Sequence, residues 1–268
     1  MRTLLARILD QSGQVLSLKE PHIIAQLAQA TRARGLRARD RLSTDGLGAA
    51  LDRLAGLIER RWTPSEAILI KPTNLANNLI PDLVARGGKA IFLYGPLESF
   101  LRSMIAYGEE GRVFMRSLAQ AMIRDGELRF HQQAELNDLQ IGALAWRAQL
   151  DLFRYWLGRL GPTRATSLNF SDFAAEPQRG ARAVAEFFWP DCPGRTPPSS
   201  EVDRKMCLDS KSGMVRASAR ETARDSREQE LLNEVLDWLD IRDGDDEFDE
   251  ALPYALDLDD RNRGDDCG

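Results

Sequence analysis

Two short apolar runs constrain this chain more than any other feature. Ala67-Ile68-Leu69-Ile70 lies between Pro64 and Pro72, and Ala90-Ile91-Phe92-Leu93-Tyr94 is broken by Gly95-Pro96. Proline lacks a backbone donor and biases the residue before it away from helical geometry, so neither run extends into a helix of its own. Unalternated apolar stretches of this length read as strands covered on both faces, the condition of a parallel sheet.

The flanking segments keep the same rhythm. Residues 4–9 read as a helix closing toward Gly13, residues 15–18 as a short strand, and residues 22–34 as a helix carrying Ile23, Ile24, Leu27 and Ala30 at helical spacing. Further helices are expected over 47–58, over 75–85 behind a Thr73-Asn74 cap, over 97–107, over 111–123, and from Asn137-Asp138 to the Gly161-Pro162 stop. The Trp and Phe stripe of that long helix reads as core. Residues 165–170 form a fourth strand-like segment, followed by a helix over 178–188. Residues 190–200 hold four prolines and one glycine and read as a loop. Residues 202–218 show no clear period, and 221–239 read as a charged amphipathic helix. Strands alternating with helices predict an α/β fold, three-layer αβα, around a parallel sheet of about four or five strands. Residues 1–239 form one domain in this reading.

Charge divides the chain unevenly. From Asp237 onward thirteen acids face three arginines, so a net charge of −5 over 268 residues conceals a body at +5. A basic body suits an anionic ligand such as a nucleotide, and residues 240–268 read as an acidic, disordered, solvated tail. Nucleic acid is not the expected partner, because no basic stripe interleaved with aromatics appears. No apolar run reaches the roughly 20 residues of a membrane span and no signal peptide opens the chain, so a cytoplasmic protein is expected. Cys192, Cys207 and Cys267 are scattered among only two histidines, His22 and His131, which supplies neither a disulfide framework nor a zinc cage. No metal site is expected.

The ordinary phosphate cradles, Gly-x-x-x-x-Gly-Lys-[Ser/Thr] and Gly-x-Gly-x-x-Gly, are absent, as is the Gly-x-Ser-x-Gly nucleophile elbow. Two strand ends nonetheless carry polar groups. Lys71-Pro72-Thr73-Asn74 sits where a strand gives way to a helix, the crevice in which parallel sheets bind ligands. Lys71 and Asn74 read either as contacts to a substrate or as a solvated lysine beside a helix cap. His131, in a polar stretch, has no partner by spacing and reads as a surface histidine.

Three separated segments carry a family resemblance. Thr3-Leu4-Leu5-Ala6-Arg7-Ile8-Leu9-Asp10 with Val15-Leu16-Ser17-Leu18-Lys19-Glu20-Pro21 resembles the stretch after the phosphosulfate loop of sulfotransferases, members of the P-loop fold. Ala90-Ile91-Phe92-Leu93-Tyr94-Gly95-Pro96 is similar to that family's strand leading into its Arg-Asp-Pro segment. Leu168-Asn169-Phe170-Ser171-Asp172-Phe173-Ala174-Ala175-Glu176-Pro177 followed by Phe187-Phe188 resembles its later strand, turn and helix.

The resemblance implies a P-loop NTPase-like, sulfotransferase-like fold whose N-terminal strand and most of whose loop lie upstream of Met1. It implies transfer of a sulfuryl group from 3′-phosphoadenosine 5′-phosphosulfate (PAPS) to an acceptor hydroxyl or amine, with no metal. Thr3 falls on the loop's last threonine, and Arg102 and Ser103 fall near the 3′-phosphate contact. Glu20, seventeen positions after Thr3, falls where protein-tyrosine sulfotransferases place the general base. Desolvation at a strand end would raise its pKa. Each has a plainer alternative: Glu20 as a turn glutamate paired with an arginine, Arg102 as a surface arginine. The family's Arg and Asp fall on Tyr94 and Gly95, and only Pro96 is kept, which puts activity in doubt. Lys205 and Lys211 lie where a late basic segment is often found. The competing expectations are a non-catalytic degenerate relative acting as a binding protein and a nucleotide kinase-like P-loop protein. The acceptor is not legible.

Overall fold

A computed structural model of the chain describes residues 2–35, 56, 66–84, 87–129, 136–207, 226–243, 250–256 and 258. The expected helix over 47–58, apart from residue 56, lies outside the described residues, as do His131 and Lys211. In order, the elements are α1 (Arg2–Ile8), β1 (Val15–Lys19), α2 (His22–Ala33), β2 (Ala67–Lys71), a 3-10 helix (Asn74–Leu79), α3 (Ile80–Val84), β3 (Ala90–Tyr94), α4 (Leu97–Ala106), α5 (Glu109–Arg124), α6 (Asp138–Leu160), β4 (Ala165–Asn169), α7 (Phe170–Ala175), α8 (Pro177–Phe188), a 3-10 turn (Pro193–Arg195), α9 (Ser199–Met206) and α10 (Ser226–Asp243).

The strands form two parallel pairs. β1 runs beside β2 with Val15 opposite Ala67, and β3 beside β4 with Ala90 opposite Ala165. Each pair makes its own two-stranded sheet. The chain is therefore mixed α/β, with two separate parallel pairs among the described residues where a parallel sheet of about four or five strands was expected from sequence.

Hydrogen bonding at the outer edges separates the two sides of each pair. In a parallel strand alternate residues direct both backbone groups to the same side. The Ala67 N–H donates to the Gln14 carbonyl and the Glu20 N–H to the Lys71 carbonyl, so residues 67, 69 and 71 face β1. The outer edge of β1 is covered, with Ser17 N–H donating to Asp10 Oδ1 and Val15 exchanging bonds with Gln11. The outer edge of β4 is covered too, because the Ser167 N–H donates to the Tyr254 carbonyl and the Ser167 carbonyl accepts from the Leu256 N–H. Residues 250–256, within the stretch read as an acidic tail, thus lie beside β4, and Leu252 is buried there. That leaves Ile68 and Ile70 on β2, and Ile91 and Leu93 on β3, directing their backbone groups to inner edges. No strand pairs with either inner edge among the described residues.

Apolar layers cover both faces. On one face Leu4, Leu5 and Ile8 of α1, with Leu9 just past it, pack with α8, and against this cluster lie Leu69 of β2, Ile91 and Leu93 of β3 and buried Leu168 of β4. On the other, Phe92, Tyr94 and Ala165 pack against α4, α5 and α6, while Ile70 packs against α2 and the first 3-10 helix. Phe92 meets Phe153 with ring centroids 4.8 Å apart. Long α6 starts where Asn137 and Gln140 bond reciprocally at 2.9 and 3.0 Å, a capping box, and stops at Gly161, whose φ of 74° suits a residue without a Cβ.

Candidate functional site

The carboxyl ends of the strands gather most of the residues singled out from sequence. β1 ends at Lys19-Glu20, β2 at Lys71, β3 at Tyr94 and β4 at Asn169. Glu20 occupies the left-handed region at φ 51°, a conformation uncommon for a residue with a side chain. That turn points its carboxylate toward β2, where Lys71 Nζ donates to Glu20 Oε1. The Lys71 side chain is 18% exposed and that of Glu20 is 50% exposed. Two candidates chosen separately from sequence therefore form one ion pair. The plainer alternative for Glu20 expected an arginine, and the partner is a lysine. Its carboxylate is half exposed, unlike the desolvated base expected from sequence.

Asp10 adds a second charged knot that sequence reading did not single out. It accepts from Lys19 Nζ at 2.5 Å and from the Ser17 N–H at 3.1 Å, and its carbonyl accepts from Lys205 Nζ at 3.0 Å. Spacing gave no signal for it, since the carboxylate reaches Lys19 only once α1 and β1 fold back on each other. At β2, Thr73 rather than Asn74 caps the 3-10 helix, its Oγ1 3.5 Å from the Leu75 N–H. Asn74 is half-buried in the first position of that helix. Buried Asn77 Nδ2, three residues on, has no hydrogen-bond partner among the described residues.

The β3 end differs from the family pattern in a definite way. Tyr94, where the family's arginine would fall, is buried in the core, and its hydroxyl accepts from the Leu252 N–H at 3.4 Å. The Gly95 carbonyl accepts from Trp146 Nε1 at 3.1 Å. Arg102 donates from Nε and Nη2 to Glu98 at 2.9 and 2.6 Å and from Nη2 to Gln229 of α10. Ser103 is half-buried beside it on α4. Neither is bonded to the Glu20–Lys71 pair. Partial desolvation pushes the Glu250 carboxyl above its ordinary value, opposed by a hydrogen bond from the backbone of Leu97, at the start of α4.

Thr3 lies in α1, its side chain outside the described ones. Cys192 and Cys207 are exposed thiols. Among the described residues no group of His, Cys, Asp and Glu is arranged to hold a metal ion, and no helix is long and apolar enough to cross a membrane. No family model matches the chain, and neither a curated protein nor a solved structure shows detectable similarity to it.

Proposed function

We propose that this chain is a sulfotransferase-like protein of the P-loop fold, binding PAPS at the carboxyl ends of a parallel sheet whose central strand lies between β2 and β3. One observation carries the reading. Both outer edges of the strand pairs are covered, both inner edges are unpaired among the described residues, and Leu69, Ile91 and Leu93 flank them on a shared apolar layer. A fifth parallel strand seated there would join the pairs into one sheet. The loop after that strand would open onto the crevice beside Glu20 and Lys71.

In this reading the acceptor oxygen attacks sulfur as the bond from sulfur to the bridging phosphate oxygen breaks, releasing 3′-phosphoadenosine 5′-phosphate. Glu20 takes the acceptor's proton, and Lys71, now paired with Glu20, turns to hold the phosphosulfate. Arg102 and Ser103 would reach the 3′-phosphate only after Arg102 leaves Glu98 and Gln229. Asn74 and Thr3 complete the proposed contacts.

A second reading, a non-catalytic binding protein descended from such an enzyme, is favoured by the commitments of these same groups. Glu20 and Arg102 are already ion-paired, and Tyr94 replaces the expected cation. Calorimetry with 3′-phosphoadenosine 5′-phosphate separates the two. Micromolar binding that weakens in Lys71→Met supports the first. A well-folded chain that binds none of it supports the second, and preference for ATP points to a nucleotide kinase-like protein.

A further inference from the structure

We propose that the groove between α2 and α5 is a binding site for a small organic phosphate, distinct from the strand-end crevice. It encloses about 620 Å³, within the range that holds small ligands. Arg32 and Arg124 supply cations, Ser117 and Gln120 supply polar groups, and Ala25 and Leu75 supply an apolar wall.

Arg32 is the organising group. Its side chain is only 7% exposed, and Nε and Nη2 are committed to Asp125. Nη1 forms no hydrogen bond among the described residues and is not a buried, unsatisfied atom, so two donors of a well-held guanidinium stay open to solvent at the groove. An oxyanion entering the groove can accept from both at once. The Asp125 pair holds the guanidinium plane still, which lowers the entropy lost on binding.

Arg124 supplies the net charge. Arg32 and Asp125 cancel, while Arg124 is exposed at the rim with no ion pair among the described residues. Capping does not explain it, because the last carbonyls of α5 already have partners: Ala121 takes the Asp125 N–H, Met122 those of Glu127 and Leu128, and Ile123 that of Gly126. Two guanidinium groups facing one cavity suit a dianion, and the Ala25–Leu75 wall suits a nonpolar body attached to it. Arg32 stands in the last turn of α2, ten residues beyond His22, so it lies about 15 Å along that helix from the end that follows Glu20.

The test is titration of the full chain with phenyl phosphate, followed by calorimetry and by melting temperature. Saturable binding is expected, weakened about tenfold in Arg124→Gln and also in Gln120→Leu, with inorganic phosphate about tenfold weaker than phenyl phosphate. Both variants are at exposed positions, and their unliganded melts should match the parent. The proposal is overturned by no saturable binding up to about 10 mM, by unchanged affinity in Arg124→Gln, or by equal affinity for inorganic phosphate. Loss of binding in Lys71→Met with retention in Arg124→Gln would also overturn it, by locating the phosphate at the strand ends.

Discussion

Arg32 in α2 and Asp125 just past α5 meet through a bidentate contact, with Nη2 to Oδ2 at 2.8 Å and both side chains more than nine-tenths buried. Removing one partner of such a pair strands the other charge without its counterion. Asp125→Ala should therefore cost about 3–5 kcal/mol, read as a lower urea midpoint with an unchanged slope. Arg32→Met combined with Asp125→Leu should recover much of that loss, since apolar replacement removes both desolvation penalties together. A single variant that melts like the parent would contradict the contact.

Three glycines make opposite demands on one substitution. A Cβ on Gly111 would sit inside contact distance of the Met104 backbone carbonyl, where the start of α5 crosses the end of α4. Helix propensity favours alanine by about 0.5–1 kcal/mol, but backbone overlap costs about 1–3 kcal/mol, so Gly111→Ala should destabilise. Gly142→Ala meets the Met115 side chain, which can turn aside, and should cost less. Gly158 on α6 has nothing within 4 Å, so Gly158→Ala should stabilise by about 0.5–1 kcal/mol. Thermal melts of the three should fall in that order, with Gly111→Ala lowest.

The four strands among the described residues were legible to within a residue at each end, because each is a short run punctuated by proline, glycine or a turn. The long helix and its Trp146, Phe153 and Trp156 core were legible for the complementary reason, a period sustained over many turns. α7 and α9 were not. Neither exceeds eight residues, too short for a period to emerge, and α9 begins directly after Pro197-Pro198, where the composition suggests only loop. The site divides in the same way. Glu20 and Lys71 stood out singly through their positions at strand ends, but their pairing depends on the β1–β2 register and on the turn at Glu20. The Arg32–Asp125 contact joins common residue types 93 positions apart, with no local pattern to announce it.

Acid should loosen α9 through a single side chain. Glu201 accepts from Arg204 Nε and Nη2 at 2.8 and 2.7 Å, and Lys205 Nζ lies 3.1 Å away; these cations lower its pKa from 4.5 to about 2. A carboxyl lowered by folding contributes stability that is present above its unfolded value and lost as pH falls through its folded one. The contribution should persist at neutral pH and fade between about 4.5 and about 2. An NMR titration should place the Glu201 midpoint well below that of an ordinary glutamate, and Glu201→Gln should remove this part of the acid dependence. A midpoint at the ordinary value would show that the exposed pairs do not persist in solution.

Amide exchange reports directly on the inner edges. Ile68, Ile70, Ile91 and Leu93 direct their N–H groups away from β1 and β4, whereas those of Leu69 and Phe92 point into the paired side and that of Ser167 bonds Tyr254. Opening free energies should therefore alternate along β2 and β3, with the inner-edge amides exchanging about a hundredfold faster than their neighbours. Such alternation cannot come from general looseness, which would raise both sets together. Uniform protection along both strands would mean that another segment already pairs with the inner edges. That segment would then be the candidate for the central strand that the sulfotransferase-like reading seats between β2 and β3, while the phosphate groove beside Arg32 would stand or fall on its own titration.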